Sequence, residues 1–396
     1  MNYDAIIIGA GPSGLVCAIE AAKRGCKALV IDHNGAAGKK LSICGGGRPN
    51  FSNLNASFRD YRSENAHFPK SALARFPPED MISLLEEHGI DHIEKPGGRL
   101  FLKGSGRLLV CMLVDECDKL GVKFLFSANV ENIAKDELFK IRTSRGTFHS
   151  SSLVVATGGL SYKDLGASDL GYRIAKKFGH DVIAPHPALT ALLWGKDDRS
   201  RFKDLSGISI KAEVKYRAFT ICDDMLFTHE GLSGPAILSL SLYIKNGEPF
   251  VIDTLPGIDI KEILSGLKKS AGNRRIASVL SAYLPKKFAA VWIDQYFSNK
   301  RLDELSDKLL NKISEALHRW EVVPHARAGY DKAEVTAGGV STADISSKTF
   351  ESKKVKGLYF IGEVLDVTGM LGGYNLHWAF ASGFSAGQFV SHSPLP

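Results

Sequence analysis

The chain opens on a short apolar run at residues 5–8 that stops at Gly9-x-Gly11-x-x-Gly14 and gives way to an amphipathic stretch reaching about Lys23. A turn at Gly25 and a second apolar run, residues 28–31, close on Asp32. The alternation predicts strand, glycine turn, helix, strand and terminal acid. Far downstream, residues 153–156 and 358–361 read as buried strands, and residues 378–389 as a helix with small residues on one face. Between these outer segments the pattern changes. From about residue 190 to 250, runs such as "ISIKAEVKY" and "FVIDTL" alternate apolar and polar positions, which predicts β-structure. From 259 to about 319 the period turns helical ("KEILSGLKK", "RIASVLSAYL", "KLLNKISEALHRW"), and "AEVTAGGVS" returns to strand.

These shifts predict an α/β fold whose first and last segments, 1–189 and 336–396, form one discontinuous Rossmann-like domain. A β-rich, barrel-like insert of 190–258 with 320–335 and a small helical domain of 259–319 lie between them.

The glycine turn has a physical reading. Gly9 permits the tight turn, Gly11 lets backbone approach a pyrophosphate, and Gly14 lets the helix pack close to the strand. The helix N-terminus offers unpaired N–H groups and a positive dipole to phosphate, and Asp32 can accept hydrogen bonds from a ribose. A lone G-x-G-x-x-G is weak, but strand, helix, strand and acid all follow within about thirty residues, the context the motif requires. The segment "GAAGKKLSICGGGRPNFSN" comes next, where a dehydrogenase that binds only NAD would continue into another helix and strand. It is expected to cross the face of a long dinucleotide as extended backbone, with Lys40 and Arg48 supplying charge and Asn50 amide contacts. No second complete G-x-G-x-x-G occurs, so a dedicated second nucleotide domain is not expected.

The same segment resembles the "GKKLLxSGGGRCNxTN" signature of the BaiN-like flavoproteins, also called YhiN-like or aminoacetone-oxidase-family FAD-binding enzymes. Three further stretches resemble that family in order: "LVVATGGLSYKDLGASDLGYRIAKKFGH", "LFTHEGLSGPAIL" and "EVTAGGVSTADISSKTFESKKVKGLYFIGEVLDVTGMLGGYNLHWAFASG". Two positions depart from it: Pro49 stands where the family usually has Cys, and Cys44 where it usually has Ser. A mechanism built on that cysteine is therefore closed to this chain.

The resemblance implies FAD as cofactor, with NAD(P)H as a transient reductant, in a glutathione-reductase-type FAD-binding domain. The implied cofactor-binding positions are Gly9, Gly11, Pro12, Ser13, Gly14, Asp32, His33, Lys40, Leu41, Gly46, Gly47, Arg48, Asn50 and Val130, then Ala156, Thr157, Gly158, Gly362, Glu363, Asp366, Gly372, Gly373, Tyr374 and Asn375. Asp366 is expected on the ribityl chain, and the helix after Gly372–Asn375 at the isoalloxazine O2. The implied activity is two-electron transfer between a nicotinamide, or oxygen, and a small organic substrate, either reduction of a conjugated C=C or oxidation of an amine. An NAD(P)H-linked reductase is favoured over an oxidase. His377, His229 and Tyr374 are the candidate proton donors, since imidazole titrates near neutrality.

Composition adds limits. With 44% hydrophobic and 23% charged residues, the 396-residue chain is expected to be an ordinary globular protein. It has no apolar run near the roughly 18 residues of a membrane span and no signal-peptide pattern, so a cytoplasmic setting is expected. Six cysteines without C-x-x-C or metal-ligand spacing read as reduced thiols, and no metal site is expected. The net charge of +7 is spread over basic pairs such as Lys39-Lys40, Lys268-Lys269, Arg274-Arg275, Lys286-Lys287 and Lys353-Lys354. These read as solvated surface, which favours a small-molecule partner over nucleic acid. A tRNA-modifying flavoprotein and a non-catalytic FAD-binding redox sensor stand as alternatives. Oligomeric state is not legible.

Overall fold

The computed structural model describes residues 2–390, which separate into two compact units, one of 2–187 with the segment from 334 onward and one of 188–333. In the first unit, strand β1 (Asn2–Ile8) leads through the glycine turn to helix α1 (Pro12–Lys23) and strand β2 (Ala28–Ile31). β2 and the strand Gly146–Val155 flank β1 in parallel, and Lys123–Leu125 extends the sheet beyond β2. All four residues of β2 and the last four of Gly146–Val155 are buried, as a parallel sheet covered on both faces requires.

The strand Gly146–Val155 works twice. Its first half closes an antiparallel pairing with Phe139–Thr143, and its second half pairs in parallel with Leu358–Phe360. A strand from the end of the chain thus completes a sheet begun by its first residues. The last helix, Tyr374–Gly387, packs on α1 at glycines: a Cβ at Gly383 would lie 2.3 Å from the Ser13 carbonyl oxygen, and one at Gly387 would lie 2.5 Å from the Glu20 Cβ. The expected α/β Rossmann-type domain is present.

The second unit holds a seven-stranded antiparallel sheet in the order Trp320–Val322, Phe250–Asp253, Ser209–Tyr216, Phe219–Phe227, Gly231–Ser233, Leu192–Leu193, Ala326–Arg327. Its first and last strands are consecutive in sequence, so the sheet curls until its two edges lie within one short loop of each other. Ser209–Tyr216 alternates buried residues with exposed or partly exposed ones along its length, the signature of a sheet with one covered face. The cover comes from the short helix Pro235–Leu240, whose Ala236, Ile237 and Leu240 are buried, and from the helices between 260 and 318. Phe288 of one helix packs on Phe227 and Trp320 of the sheet, with ring centroids 5.5 and 6.4 Å apart, so helices and strands share a single apolar core.

No helix among the described residues is long and apolar enough to cross a membrane. All six cysteines are free.

Candidate active site

The glycine turn is built as a cradle. Gly9 has φ +113°, and a Cβ there would lie 2.3 Å from the Ala156 carbonyl oxygen, so only glycine can occupy it. A Cβ at Gly14 would lie 2.0 Å from the Gly9 carbonyl oxygen, which fixes α1 against the turn. Gly11 differs, because a Cβ there meets nothing within 4 Å. Its lack of a side chain is not demanded by packing, which leaves open space beside the backbone. Gly11 is the N-cap of α1, Pro12 occupies the first turn without a donor to lose, and no side chain caps the remaining N–H groups.

Asp32 follows β2 directly beside this turn. Its Oδ2 accepts the Ala10 N–H at 2.8 Å and its Oδ1 the Asn34 N–H at 2.8 Å, while the His33 ring lies 3.6 Å away. The carboxylate is therefore oriented by backbone rather than by a counter-ion. Val130 opens the strand Val130–Lys135, and Ala156 hands its N–H to the Ile8 carbonyl.

The segment expected to cross the dinucleotide as extended chain does not begin that way. Gly38, at φ +65°, starts a short helix α2 (Lys39–Ile43), and a 3-10 turn, Cys44–Gly47, follows before strand β3 (Asn50–Asn53). The reason is apolar anchoring: Leu41 is 2% exposed, and Gly106 of the helix Gly106–Lys119 approaches its backbone so closely that a Cβ would lie 2.3 Å from the Leu41 carbonyl oxygen. Gly47, at φ +92°, has open space where a side chain would sit, and Arg48 is exposed. Gly46 belongs to the same turn, but its surroundings lie outside what is described.

Lys40, expected to carry free positive charge, is paired instead. Its Nζ lies 2.9 Å from Glu363 Oε2 and 3.2 Å from Oε1. Glu363 Oε1 also accepts the Thr336 N–H at 2.9 Å, and Thr336 Oγ1 in turn receives the N–H groups of Leu160 and Ser161. Gly158, at φ +72°, and Gly159 bring the end of the strand Gly146–Val155 against this carboxylate: a Cβ on Gly159 would sit 2.9 Å from Glu363 Oε1. Gly362, at φ +73°, lies against the Ser13 side chain. The Gly362-Glu363 pair thus joins the glycine turn, the Thr157-Gly158 end and the Lys40 helix.

Asp366 is placed more deeply. It is 6% exposed, its Oδ2 accepts the Glu64 N–H at 2.8 Å, and burial raises its pKa above the usual carboxylate range.

The Gly372-Gly373 pair, at φ +123° and +97°, runs across β3, where a Cβ on Gly373 would strike the Ser52 carbonyl at 2.2 Å and Asn50 Oδ1 at 2.7 Å. The helix Tyr374–Gly387 begins there, four residues earlier than the sequence pattern suggests, because Gly373 supplies the left-handed N-cap. Asn375 clamps the preceding loop: its Oδ1 accepts the Gly369 N–H at 2.8 Å, and its Nδ2 donates to the Gly369 carbonyl at 2.8 Å.

The three proton-donor candidates part company. His377 is fully buried, with its ring 6.2 Å from that of Phe76 and Nδ1 3.1 Å from Ser52 Oγ. Desolvation holds its pKa down at about 4, so it is neutral and sealed in the core. His229 lies in the second unit with its side chain 74% exposed. Tyr374 stands half-buried at the start of the last helix, edge-on to Tyr61 with centroids 6.1 Å apart, and burial raises its pKa.

Sequence reasoning missed a group around Lys40. The Cys44 thiol donates to the Lys40 carbonyl at 3.2 Å, and burial pushes its pKa up to about 11. Tyr162, in a left-handed conformation at φ +65°, places its ring 5.8 Å from Lys40 Nζ, and burial lifts its hydroxyl to about 12. Burial likewise raises Glu334, which Lys40 partly offsets. Tyr162 lay inside a motif already quoted, but nothing in its spelling signals a left-handed tyrosine.

The residues fit FAD. The open space at Gly11 and the capless helix start suit a pyrophosphate. Asn50 Oδ1, Thr157 Oγ1 and Thr368 Oγ1 are buried polar atoms without a protein partner, the kind of acceptors and donors a polar ligand satisfies.

Residues 3–389 match the model of the HI0933-like protein Rossmann domain. The chain belongs to that family. Two relatives, from Haemophilus influenzae and Escherichia coli K12, are each 41% identical over 98% of both chains, and each is named ribosomal RNA dihydrouridine synthase. A third, from Clostridium scindens, is 28% identical over 98% of this chain and 99% of its own, and is named 3-dehydro-bile acid delta(4,6)-reductase. Among solved structures, a chain of Escherichia coli quinol fumarate reductase matches with a TM-score of 0.50 at 16% identity, covering 98% of this chain and 70% of that one. That likeness is one of fold. The HI0933-like chain therefore has the FAD-binding Rossmann-type fold of the flavoprotein oxidoreductases, and the resemblance drawn from its four motifs is borne out.

Proposed function

We propose that this chain is a flavin-dependent reductase that saturates the C5=C6 bond of a uridine in ribosomal RNA, with a nicotinamide as reductant. The observation that carries this reading is the 41% identity to two ribosomal RNA dihydrouridine synthases across 98% of both chains. The more distant bile-acid reductase supports the same chemistry by its name. In a 3-oxo steroid and in uracil alike, the double bond reduced is conjugated to a carbonyl, so hydride goes to the far carbon and a proton to the near one. The expectation of conjugated C=C reduction is thus kept, while the weight given to a small-molecule substrate over nucleic acid moves toward RNA, with ribosomal RNA in place of the tRNA of the alternative stated above.

FAD, when bound, would supply the two-electron chemistry, with a nicotinamide as the source of the electrons. The first turn of α1 and Gly11 would hold its pyrophosphate, Asp32 its ribose, and Glu363 its central polyol. Glu363 suits that role better than Asp366, because the Lys40 ammonium and the Thr336 N–H orient its carboxylate beside Gly158. Tyr374 keeps its phenolic proton at neutral pH and opens the glycine-led helix, so it is the proton donor of choice among the three candidates. His377 serves structure.

The test is direct. Purified FAD-loaded protein, NADPH or NADH, and ribosomal RNA isolated from cells lacking the gene are incubated anaerobically, and nucleosides are analysed by mass spectrometry. A gain of two hydrogens on uridine is expected. Flavin reduction without that product, together with turnover of a conjugated steroid ketone, would replace this reading with the small-molecule one.

A further inference from the structure

The basic pairs that look scattered along the chain are concentrated in the second unit. Residues 259–319 carry twelve basic and seven acidic side chains, a net +5 out of +7 for the whole chain. Within them, the 31 residues from 263 to 293 contain six lysines and arginines and no acid. The structure gathers this stretch further. The Ile276 N–H bonds to the Lys300 carbonyl and the Leu302 N–H to the Arg274 carbonyl, both at 3.0 Å, so Arg274 and Arg275 lie alongside Lys300. The five-residue helix Ile276–Leu280, about 7.5 Å of rise, and a short turn then lead to Lys286 and Lys287 at the start of the helix Lys286–Tyr296, whose first turn has no acid.

These cations are not neutralised. Lys268 pairs with Asp307, but no described side chain forms an ion pair with Arg274, Lys286, Lys287 or Lys300, and all four are exposed. Tyr283 stands in the turn between the two groups with 41% of its surface exposed. An exposed tyrosine flanked by unpaired cations offers a base a stacking face and its phosphates counter-charge. The exposed large apolar residues of this unit are Tyr283, Tyr296 and Val323, so the basic stretch has no aliphatic wedge to insert into a bilayer.

We propose that the surface formed by Arg274, Lys286, Lys287, Lys300 and Tyr283 is a single-stranded RNA-binding face that holds a strand of the ribosomal RNA substrate; this rests on the function proposed above. Its recognition is by charge and stacking, so it selects unpaired strand rather than sequence. The two cationic groups fall within a few nucleotides of each other along one strand.

The experiment is a fluorescence-anisotropy titration of a fluorescein-labelled 20-nucleotide single-stranded RNA over a series of salt concentrations, with the FAD-loaded full chain. For Arg274→Ala/Lys286→Ala/Lys287→Ala we expect at least tenfold weaker binding and a slope of log K against log salt lower by about 2, near 0.7 for each phosphate left without its cation. The charge-keeping Arg274→Lys/Lys286→Arg/Lys287→Arg protein should bind as the parent does, and Tyr283→Ala should lose about tenfold where Tyr283→Phe does not. The flavin absorbance spectrum and Tm of each variant report on folding. Equal affinity and slope in parent and triple variant, no RNA binding by the parent at low salt, or tighter capture by vesicles of anionic phospholipid than by RNA would each overturn the surface. A parent that binds RNA through these residues yet forms no dihydrouridine would overturn the function and leave the surface standing.

Discussion

Lys40 and Glu363, 323 positions apart in the chain, meet as an ion pair with Nζ 2.9 Å from Oε2. Their side chains are 32% and 23% exposed, between the limits of a surface pair and a buried one. Replacing Lys40 with Met leaves Glu363 with only the Thr336 N–H. The expected loss in FAD affinity is about 1–2 kcal/mol, read by titrating apoprotein with FAD. Because the two groups act together, Lys40→Met/Glu363→Gln should lose less than the sum of the single changes; strict additivity would dissolve the pairing argument.

The glycines of the turn separate cleanly by what a methyl would meet. Gly14→Ala drives a Cβ to 2.0 Å from a backbone oxygen and should cost several kcal/mol of stability, seen as a large fall in Tm. Gly11→Ala meets no protein atom within 4 Å, so it should fold with near-parent Tm and yet retain little flavin. A yellow, fully loaded Gly11→Ala protein would mean that the open space there is not where the cofactor's phosphates run.

His377 gives a pH signature. Its folded pKa is about 4, against 6.5 for an ordinary histidine, so between those values the unfolded chain binds a proton that the folded chain refuses. Stability should be complete above about pH 6.5 and fall as pH drops toward 4, by up to about 3 kcal/mol. His180, also lowered by burial, acts in the same direction. The His377 share is therefore the difference between parent and His377→Gln in denaturant melts across that range; parallel curves would contradict it.

Cys44 should be a poor nucleophile. With its pKa pushed up to about 11, its thiolate fraction at pH 8 is roughly two-hundredfold below that of an ordinary thiol. Timed iodoacetamide labelling with peptide mass spectrometry should mark the exposed Cys111 and Cys222 first and Cys44 late. Early labelling of Cys44 would reopen the question of a cysteine mechanism that Pro49 otherwise closes.

The nucleotide half of the fold was legible because its signals are local. The Gly9-x-Gly11-x-x-Gly14 turn, Pro12 to Lys23 as helix and Ala28–Ile31 as strand all follow from spacing that the backbone obeys within about thirty residues. The Lys39–Ile43 helix was not legible, since its cause is the approach of Gly106 to Leu41 across 65 positions. The same holds for Lys40, whose lysine spelling promises free charge until the fold brings Glu363 to it. Helical periodicity could not show that His377 faces Phe76 rather than open space, because both faces of that helix are apolar. The basic stretch 263–293 was visible in the sequence throughout; reading lysine and arginine pair by pair, rather than by the absence of acids between them, hid it.

Leu358–Phe360 slots beside Leu153–Val155, and Gly362 settles on Ser13. On the ribosome, the first 155 residues emerge with one flank of their central strand bare and must wait for some two hundred more to be translated. A cofactor held by both the glycine turn and the Gly362-Glu363 pair can load only once that last strand is in place, so a nascent chain released before residue 358 holds every glycine of the turn and no finished cradle.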